Sequence, residues 1–197
     1  MNELNKVFPL SDKRSLKGNR RLAREKVLQI IMSYYSCESD LDILFDHIFY
    51  RVFYFGDEED EQKNVDGKFL RPEEILEMES DIPIIWRDED IEFGKNLANT
   101  IVNKESYLNE LLEEFAQNWE IDRIAKIDRY LVQSAICELV FFDEIPPKVS
   151  INEAIEISKK YSTDKSKMFV NGILDSILKK LNTDGKINKS GRGLKED

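Results

Sequence analysis

Apolar residues recur every three or four positions along most of the chain, with polar residues between them. The stretch from Ala23 to Tyr34, for example, places Val27, Ile30 and Ile31 on one side of a helix. Glycine and proline, which interrupt helices, number only eight and five among 197 residues. The pattern therefore predicts about seven main helices and no persuasive strand. The predicted ranges are about 19–37, 40–55, 87–103, 105–115, 124–142, 150–160 and 164–181, with a short additional helix at 72–78.

Local signals predict where several of these helices begin and end. Pro146 and Pro147 stop the helix before them, because proline lacks the backbone N–H that a helix interior needs. Ser150 and Glu153 have the spacing of a capping box, which predicts a helix start at Ser150. Thr163 or the residue after it is expected to cap the last helix with its side-chain oxygen.

The helical pattern extends over residues 19–182 and predicts an all-α fold, a compact helical bundle in two subdomains. An acidic insertion at about 56–86 interrupts the pattern, because its run of charges cannot bury a face. Residues 1–18 are predicted to form a flexible basic arm that ends at a glycine, and residues 183–197 a disordered tail. The organisation expected is one helical domain with an arm, an insertion and a tail.

The formal net charge of −10 argues at first against a nucleic-acid ligand, but the charge is unevenly distributed. Residues 1–30 carry eight basic and three acidic side chains, whereas residues 36–92 carry nineteen acidic and five basic ones. Binding to nucleic acid depends on the local surface rather than on the total charge. The acidic middle of the chain therefore leaves a basic N-terminal segment available for an anionic partner.

Several classes of function are disfavoured by the residues present. Cys37, Cys137 and the single His47 cannot form a zinc site, and both cysteines are expected to be buried free thiols. No phosphate-binding loop, dinucleotide fingerprint or nucleophile elbow occurs. The apolar runs are far shorter than a membrane helix requires. We therefore expect a cytoplasmic binding protein with no cofactor, no metal and no catalytic residue.

The start of the first predicted helix is the main candidate for chemistry. Arg20, Arg21 and Arg24 lie within it, and Lys17 precedes it. Arginine offers a planar fork of donors to phosphate and stacks on bases, which suits single-stranded RNA. The alternative interpretation is a solubilising basic tail before an ordinary helix.

A second candidate lies in the two C-terminal helices. Asn152 and Glu153 are predicted to lie at a helix start, where they can accept hydrogen bonds from free backbone amides. Asn171 and Gly172 fall in the middle of a helix, where glycine costs about 1 kcal/mol. Such a glycine is expected where another backbone packs closely. These residues are interpreted as the junction between two helices, with direct ligand contact as the alternative.

Four sequence blocks together resemble the NusB family. They are RRLARE at 20–25, IDR at 127–129 with AICEL at 135–139, PKVSINEAIEISKKY at 147–161, and FVNGILD at 169–175. The resemblance implies an all-helical fold of two subdomains and binding to the boxA element of RNA. It also implies a ribosomal protein in the NusE role as partner, and an antitermination complex with RNA polymerase that promotes read-through in ribosomal RNA transcription. No catalysis is implied.

The resemblance also assigns roles to individual residues. Asp128 and Glu138 fall on the helix that contributes to the ribosomal-protein surface. Asp128 is the better candidate of the two, because Glu138 can instead hold the helices together. An Arg24→Glu change is expected to weaken RNA binding and leave the fold intact. The RNA-binding residues implied are Lys17, Arg20, Arg21, Arg24, Lys165 and Lys167.

Two other functions are compatible with the sequence. One is a protein–protein adaptor with weak or no RNA binding, since Leu22 stands where many family members have a further arginine. The other is a detached RNA-binding domain related to ribosomal RNA cytosine methyltransferases, which would need a catalytic domain that the tail after Leu181 does not provide. Both a monomer and a homodimer fit the resemblance. Steep salt dependence would distinguish RNA binding from the adaptor.

Overall fold

The computed structural model describes residues 5–7, 15–37, 39–54, 82–116 and 124–187. Within these ranges the chain is mostly helical, which confirms the predicted all-α class and about seven helices. The short helix expected at 72–78 lies outside the described residues. The helices are α1 Arg20–Tyr34, α2 Leu41–Phe45, α3 Asp88–Asn103, α4 Glu105–Phe115, α5 Lys126–Phe141, α6 Pro147–Tyr161 and α7 Asp164–Thr183.

Helix α2 is shorter than its periodicity predicts. After Phe45 the chain continues as a π-helical turn over Asp46–Tyr50 and then reverses at Arg51, which has the left-handed φ of 60°. Residues Val52–Tyr54 form a strand. The prediction of a helix to residue 55 was therefore wrong, because a β-branched residue and two aromatic residues after the reversal favour extended backbone.

Within the described residues four short strands accompany the helices, whereas the sequence pattern predicted no persuasive strand. Strand β1 (Asn5–Val7) pairs antiparallel with β3 (Val52–Tyr54). Strand β2 (Leu16–Lys17) pairs parallel with β4 (Ile84–Ile85). Each strand has only two or three residues, too few to show an alternating pattern. Part of the segment predicted to be a flexible arm is thus hydrogen-bonded to the C-terminal end of the predicted acidic insertion.

Helix α5 lies at the centre of the bundle. Every residue from Leu131 to Leu139 is buried, because α5 packs against α1, α3, α4, α6 and α7. Helix α1 packs mainly against α3 and α5, and α6 packs against α7. Within the described ranges, no helix combines the length and the apolar character that crossing a membrane requires.

Helix α6 begins at Pro147, with Pro146 in the capping position, and not at Ser150. Proline suits the first helical position because its missing N–H would have no partner there in any case. Ser150 is buried inside the helix, so the predicted capping box at this residue was wrong. The predicted cap of α7 is confirmed, since the Thr163 side chain accepts a hydrogen bond from the Ser166 N–H.

Gly172 does not mark a close approach of two backbones, as we predicted. It is exposed on α7, and a Cβ added to it would meet nothing within 4 Å. Two other glycines do pack tightly, Gly18 against the Trp86 ring and Gly94 of α3. A Cβ on Gly94 would lie 2.6 Å from Cζ of Phe49, whose ring stacks on Phe45 and contacts Trp86.

Gly94 and Gly172 provide a matched test of this packing. Gly94→Ala forces the buried Phe49 ring to move and should lower the free energy of unfolding by about 1–3 kcal/mol. Gly172→Ala meets open space and should raise it by about 0.4–1 kcal/mol, because alanine restricts the unfolded chain. Urea denaturation of both variants measures the difference. A stabilising Gly94→Ala would contradict the packing described.

Candidate nucleic-acid interface

The three predicted arginines all lie in the first part of α1, but their surroundings differ. Asn19 caps the helix by accepting a hydrogen bond from the Leu22 N–H at 2.9 Å, which starts α1 at Arg20. The exposed fraction of the side chain falls from 50% for Arg21 and 41% for Arg20 to 6% for Arg24. Each guanidinium contacts a carboxylate on another helix.

Arg24 points into the core. Its Nε and Nη2 donate to the two carboxylate oxygens of Glu138 on α5 at 2.6 and 2.8 Å. The Ser150 hydroxyl of α6 donates to the same carboxylate at 3.0 Å. Arg24 and Glu138 are 6% and 2% exposed, so the pair joins α1 to α5 and α6 away from solvent. The expectation that Arg24→Glu leaves the fold intact is wrong, because this change would bury two carboxylates together.

Arg21 lies at the surface between α1 and α6. Its Nε and Nη2 donate to the Glu153 carboxylate at 2.7 and 2.8 Å. These hydrogen bonds lower the pKa of Glu153 despite its partial burial. Glu153 therefore lies in the second turn of α6 as the partner of an arginine, and not at a helix start as we predicted. Asn152 beside it is exposed.

Arg20 lies at the edge of the same surface, beside α3. Its Nε is 3.2 Å from the carboxylate of Asp90, and its guanidinium lies 4.5 Å from the centre of the Phe93 ring. Arg87 also donates to Asp90, from Nε at 2.8 Å and from Nη2 at 3.0 Å. Arg87 carries no distinctive signal in the sequence, because one arginine before an acidic helix start resembles an ordinary helix N-terminus.

A solvent-open cavity of about 230 Å³ borders Arg20. Phe93 and Phe142 contribute its apolar part, and three glutamates are among the other lining residues. These negative charges would repel a phosphate that approached the cavity. The three glutamates are Glu89, Glu92 and Glu144.

The three predicted lysines are exposed. Lys17 lies in β2, immediately before α1, and Lys165 and Lys167 lie in the first turn of α7. The end of α6, which leads into this turn, contacts α1 because Lys160 and Tyr161 both donate to Glu25, at 2.6 and 2.7 Å.

The two residues predicted to contact a protein partner are both buried. Glu138 accepts hydrogen bonds from Arg24, which favours the second of its two predicted roles, holding the helices together. Asp128 lies in the first turn of α5 and is 4% exposed. Its Oδ1 has no hydrogen-bond partner within the described part of the chain.

The remaining polar candidates form no metal centre in the described ranges. Among those residues, no three His, Cys, Asp or Glu side chains lie together in a way that could hold a metal ion. Cys137 is buried, and burial raises its pKa. Cys37 is exposed, contrary to the prediction, because it follows the end of α1. Asn171 is exposed on α7 and donates to Asp175 at 3.4 Å.

The NusB family model matches residues 47–179, more than half of the chain. Transcription antitermination protein NusB of Salinibacter ruber is 50% identical over 103 residues, which cover 52% of this chain and 64% of the relative. The same-named protein of Chloroherpeton thalassium is 47% identical over 103 residues, covering 52% of this chain and 49% of that protein. The chain therefore spans less than two thirds of the length of these curated relatives.

Solved structures share the fold. NusB of T. maritima superposes with a TM-score of 0.59 at 27% identity, covering 83% of this chain and 93% of that one. A structure of the antitermination factors NusB and NusE in complex with dsRNA gives a TM-score of 0.58 at 20% identity, covering 82% and 96%. At this identity the second likeness establishes the fold alone.

The buried ion pair can be tested by replacing one or both partners. Arg24→Met leaves the Glu138 carboxylate buried without its cation and should lower the free energy of unfolding by about 3–5 kcal/mol. The double change Arg24→Met with Glu138→Met should cost less, because no uncompensated charge remains buried. Urea denaturation of the wild-type, single and double variants measures both effects. A double variant less stable than the single one would contradict the pairing.

Proposed function

The chain belongs to the NusB family, and we propose that it is a transcription antitermination factor that binds boxA-type single-stranded RNA together with a ribosomal protein in the NusE role. The family match and the relatives' names support this function. The observation that carries it here is the pair of half-exposed arginines, Arg20 and Arg21, at the start of α1. The chain acts by binding and not by catalysis, in the cytoplasm.

The arginines suit an RNA ligand for a geometric reason. A guanidinium carries five N–H donors in one plane. Glu153 accepts hydrogen bonds from Nε and Nη2 of Arg21, and Asp90 pairs with Nε of Arg20. Other N–H donors therefore remain on each guanidinium. Phosphate oxygens or the edges of unstacked bases can accept from these donors. Lys17, Lys165 and Lys167 supply additional positive charge for the same ligand.

The ribosomal protein adds affinity through linkage. A partner that binds the RNA-loaded chain more tightly than the free chain strengthens RNA binding by the same factor. The start of α5 is the proposed contact, as the resemblance to the NusB family implies; the unpartnered carboxylate oxygen of Asp128 is itself buried, so the partner would meet exposed residues beside it, such as Lys126. The joint complex then joins RNA polymerase and promotes read-through in ribosomal RNA transcription.

One observation favours a protein–protein adaptor as a second candidate. Arg24 is used in the core, and three glutamates border Arg20, so the basic surface is smaller than the sequence suggests. An adaptor would bind the ribosomal protein without RNA.

A titration at several salt concentrations tests the proposal. A labelled boxA-like RNA is added to the full chain with and without the ribosomal protein, and the same is done with Arg21→Gln and Lys180→Gln. Lys180 is the matched control, because it is a similarly exposed cation paired with a carboxylate, at the far end of α7. Arg21→Gln should weaken binding about tenfold and Lys180→Gln should leave it unchanged.

The ribosomal protein should tighten RNA binding, and added salt should weaken it steeply. Capture of the ribosomal protein without any RNA binding at low salt would contradict the proposal and establish the adaptor. Equal losses for the Arg21 and Lys180 variants would contradict the assignment of the surface.

A further inference from the structure

Asp90 is the most buried of the three carboxylates that pair with the arginines at the start of α1. It is 0% exposed and lies in the first turn of α3. Burying a carboxylate is costly unless cations or hydrogen bonds compensate it. Here two arginines from different elements do so, Arg20 of α1 and Arg87 in the position before α3.

This arrangement fixes two guanidinium groups beside each other. They share one carboxylate, so the three groups together carry one net positive charge. Arg87 is also the more exposed of the two, with 61% of its side chain accessible against 41% for Arg20. Two cations held together at a surface form a ready contact for a phosphate, since their mutual repulsion is already compensated by the buried anion.

The donors of Arg87 are only partly used. Its Nε and Nη2 each donate to Asp90, which leaves the N–H groups of Nη1 and the second one of Nη2. Arg87 does not line the glutamate cavity that borders Arg20. Glu89 of that cavity also acts electrostatically on Arg87 and raises its pKa, so a phosphate would approach Arg87 from the side that faces away from Glu89.

Resting on the proposed RNA binding, we propose that Arg87 is a further phosphate-binding residue and that Asp90 positions it beside Arg20. The basic surface then extends from α1 across to the start of α3. Arg87 thereby gives this surface a positive charge that Arg24 cannot give it, because Arg24 is buried against Glu138. Asp90 touches no RNA in this proposal and acts through the two arginines.

The slope of log affinity against log salt separates a phosphate contact from a purely structural ion pair. Arg87→Gln should weaken RNA binding about fivefold to tenfold at low salt and reduce the slope by about 0.7, the value for one phosphate of a single strand. Lys180→Gln should change neither quantity. Arg87→Lys keeps the charge without the fork, so it should restore the slope and only part of the affinity.

Asp90→Asn tests the positioning role. This change makes the surface more positive, so simple electrostatics would strengthen RNA binding. Loss of the carboxylate that orients both arginines should instead weaken it about threefold or more, in a variant whose helical circular dichroism matches the wild type. Tighter binding by Asp90→Asn would overturn the positioning role.

Two results distinguish an error about Arg87 from an error about RNA binding as a whole. Wild-type RNA binding with an unchanged affinity and slope for Arg87→Gln would overturn the role of Arg87 and leave the proposed function standing. Absence of RNA binding by the wild-type chain would overturn both.

Discussion

The contact between Arg24 and Glu138 determines how the first helix meets the rest of the bundle. It joins α1 to α5 with two hydrogen bonds of 2.6 and 2.8 Å, and Ser150 connects the same carboxylate to α6. Because both charges are almost fully buried, neither helix can rotate or shift without leaving a charge unpaired. Such a pair fixes the relative orientation of helices more strictly than apolar packing, which tolerates substitution more readily.

The buried pair of Arg24 and Glu138 also determines where the neighbouring arginines lie at the surface. Arg20 lies one helical turn before Arg24, so fixing Arg24 inside places Arg20 at the edge of the same interface. Both guanidinium groups lie over the ring of Phe93, at 4.5 and 5.0 Å. Arg21 turns instead towards α6 and Glu153. One buried pair thus supports two half-exposed arginines in defined positions, and a preorganised surface loses less conformational entropy when a ligand binds.

The sequence predicts the long helices because their buried faces repeat with helical period, and α4 begins and ends at the predicted residues 105 and 115. It does not predict the strands or the reversal at Arg51, since these depend on pairing between distant segments. The role of Arg24 has a local signal, because Arg24, Leu28 and Ile31 share one helical face. Its partner Glu138 could not be inferred, because periodicity does not tell which helices meet.

We propose that RNA binds across the starts of α1 and α3. Ultraviolet crosslinking of the full chain to a boxA-like RNA with 4-thiouridine at each uridine position, followed by mass spectrometry of the peptides, measures this directly. We expect crosslinked peptides containing residues 16–21 and 86–92, which lie side by side through the pairing of β2 with β4 and the contact between Arg20 and Asp90. Crosslinks confined to α4 or to the end of α7 would contradict it.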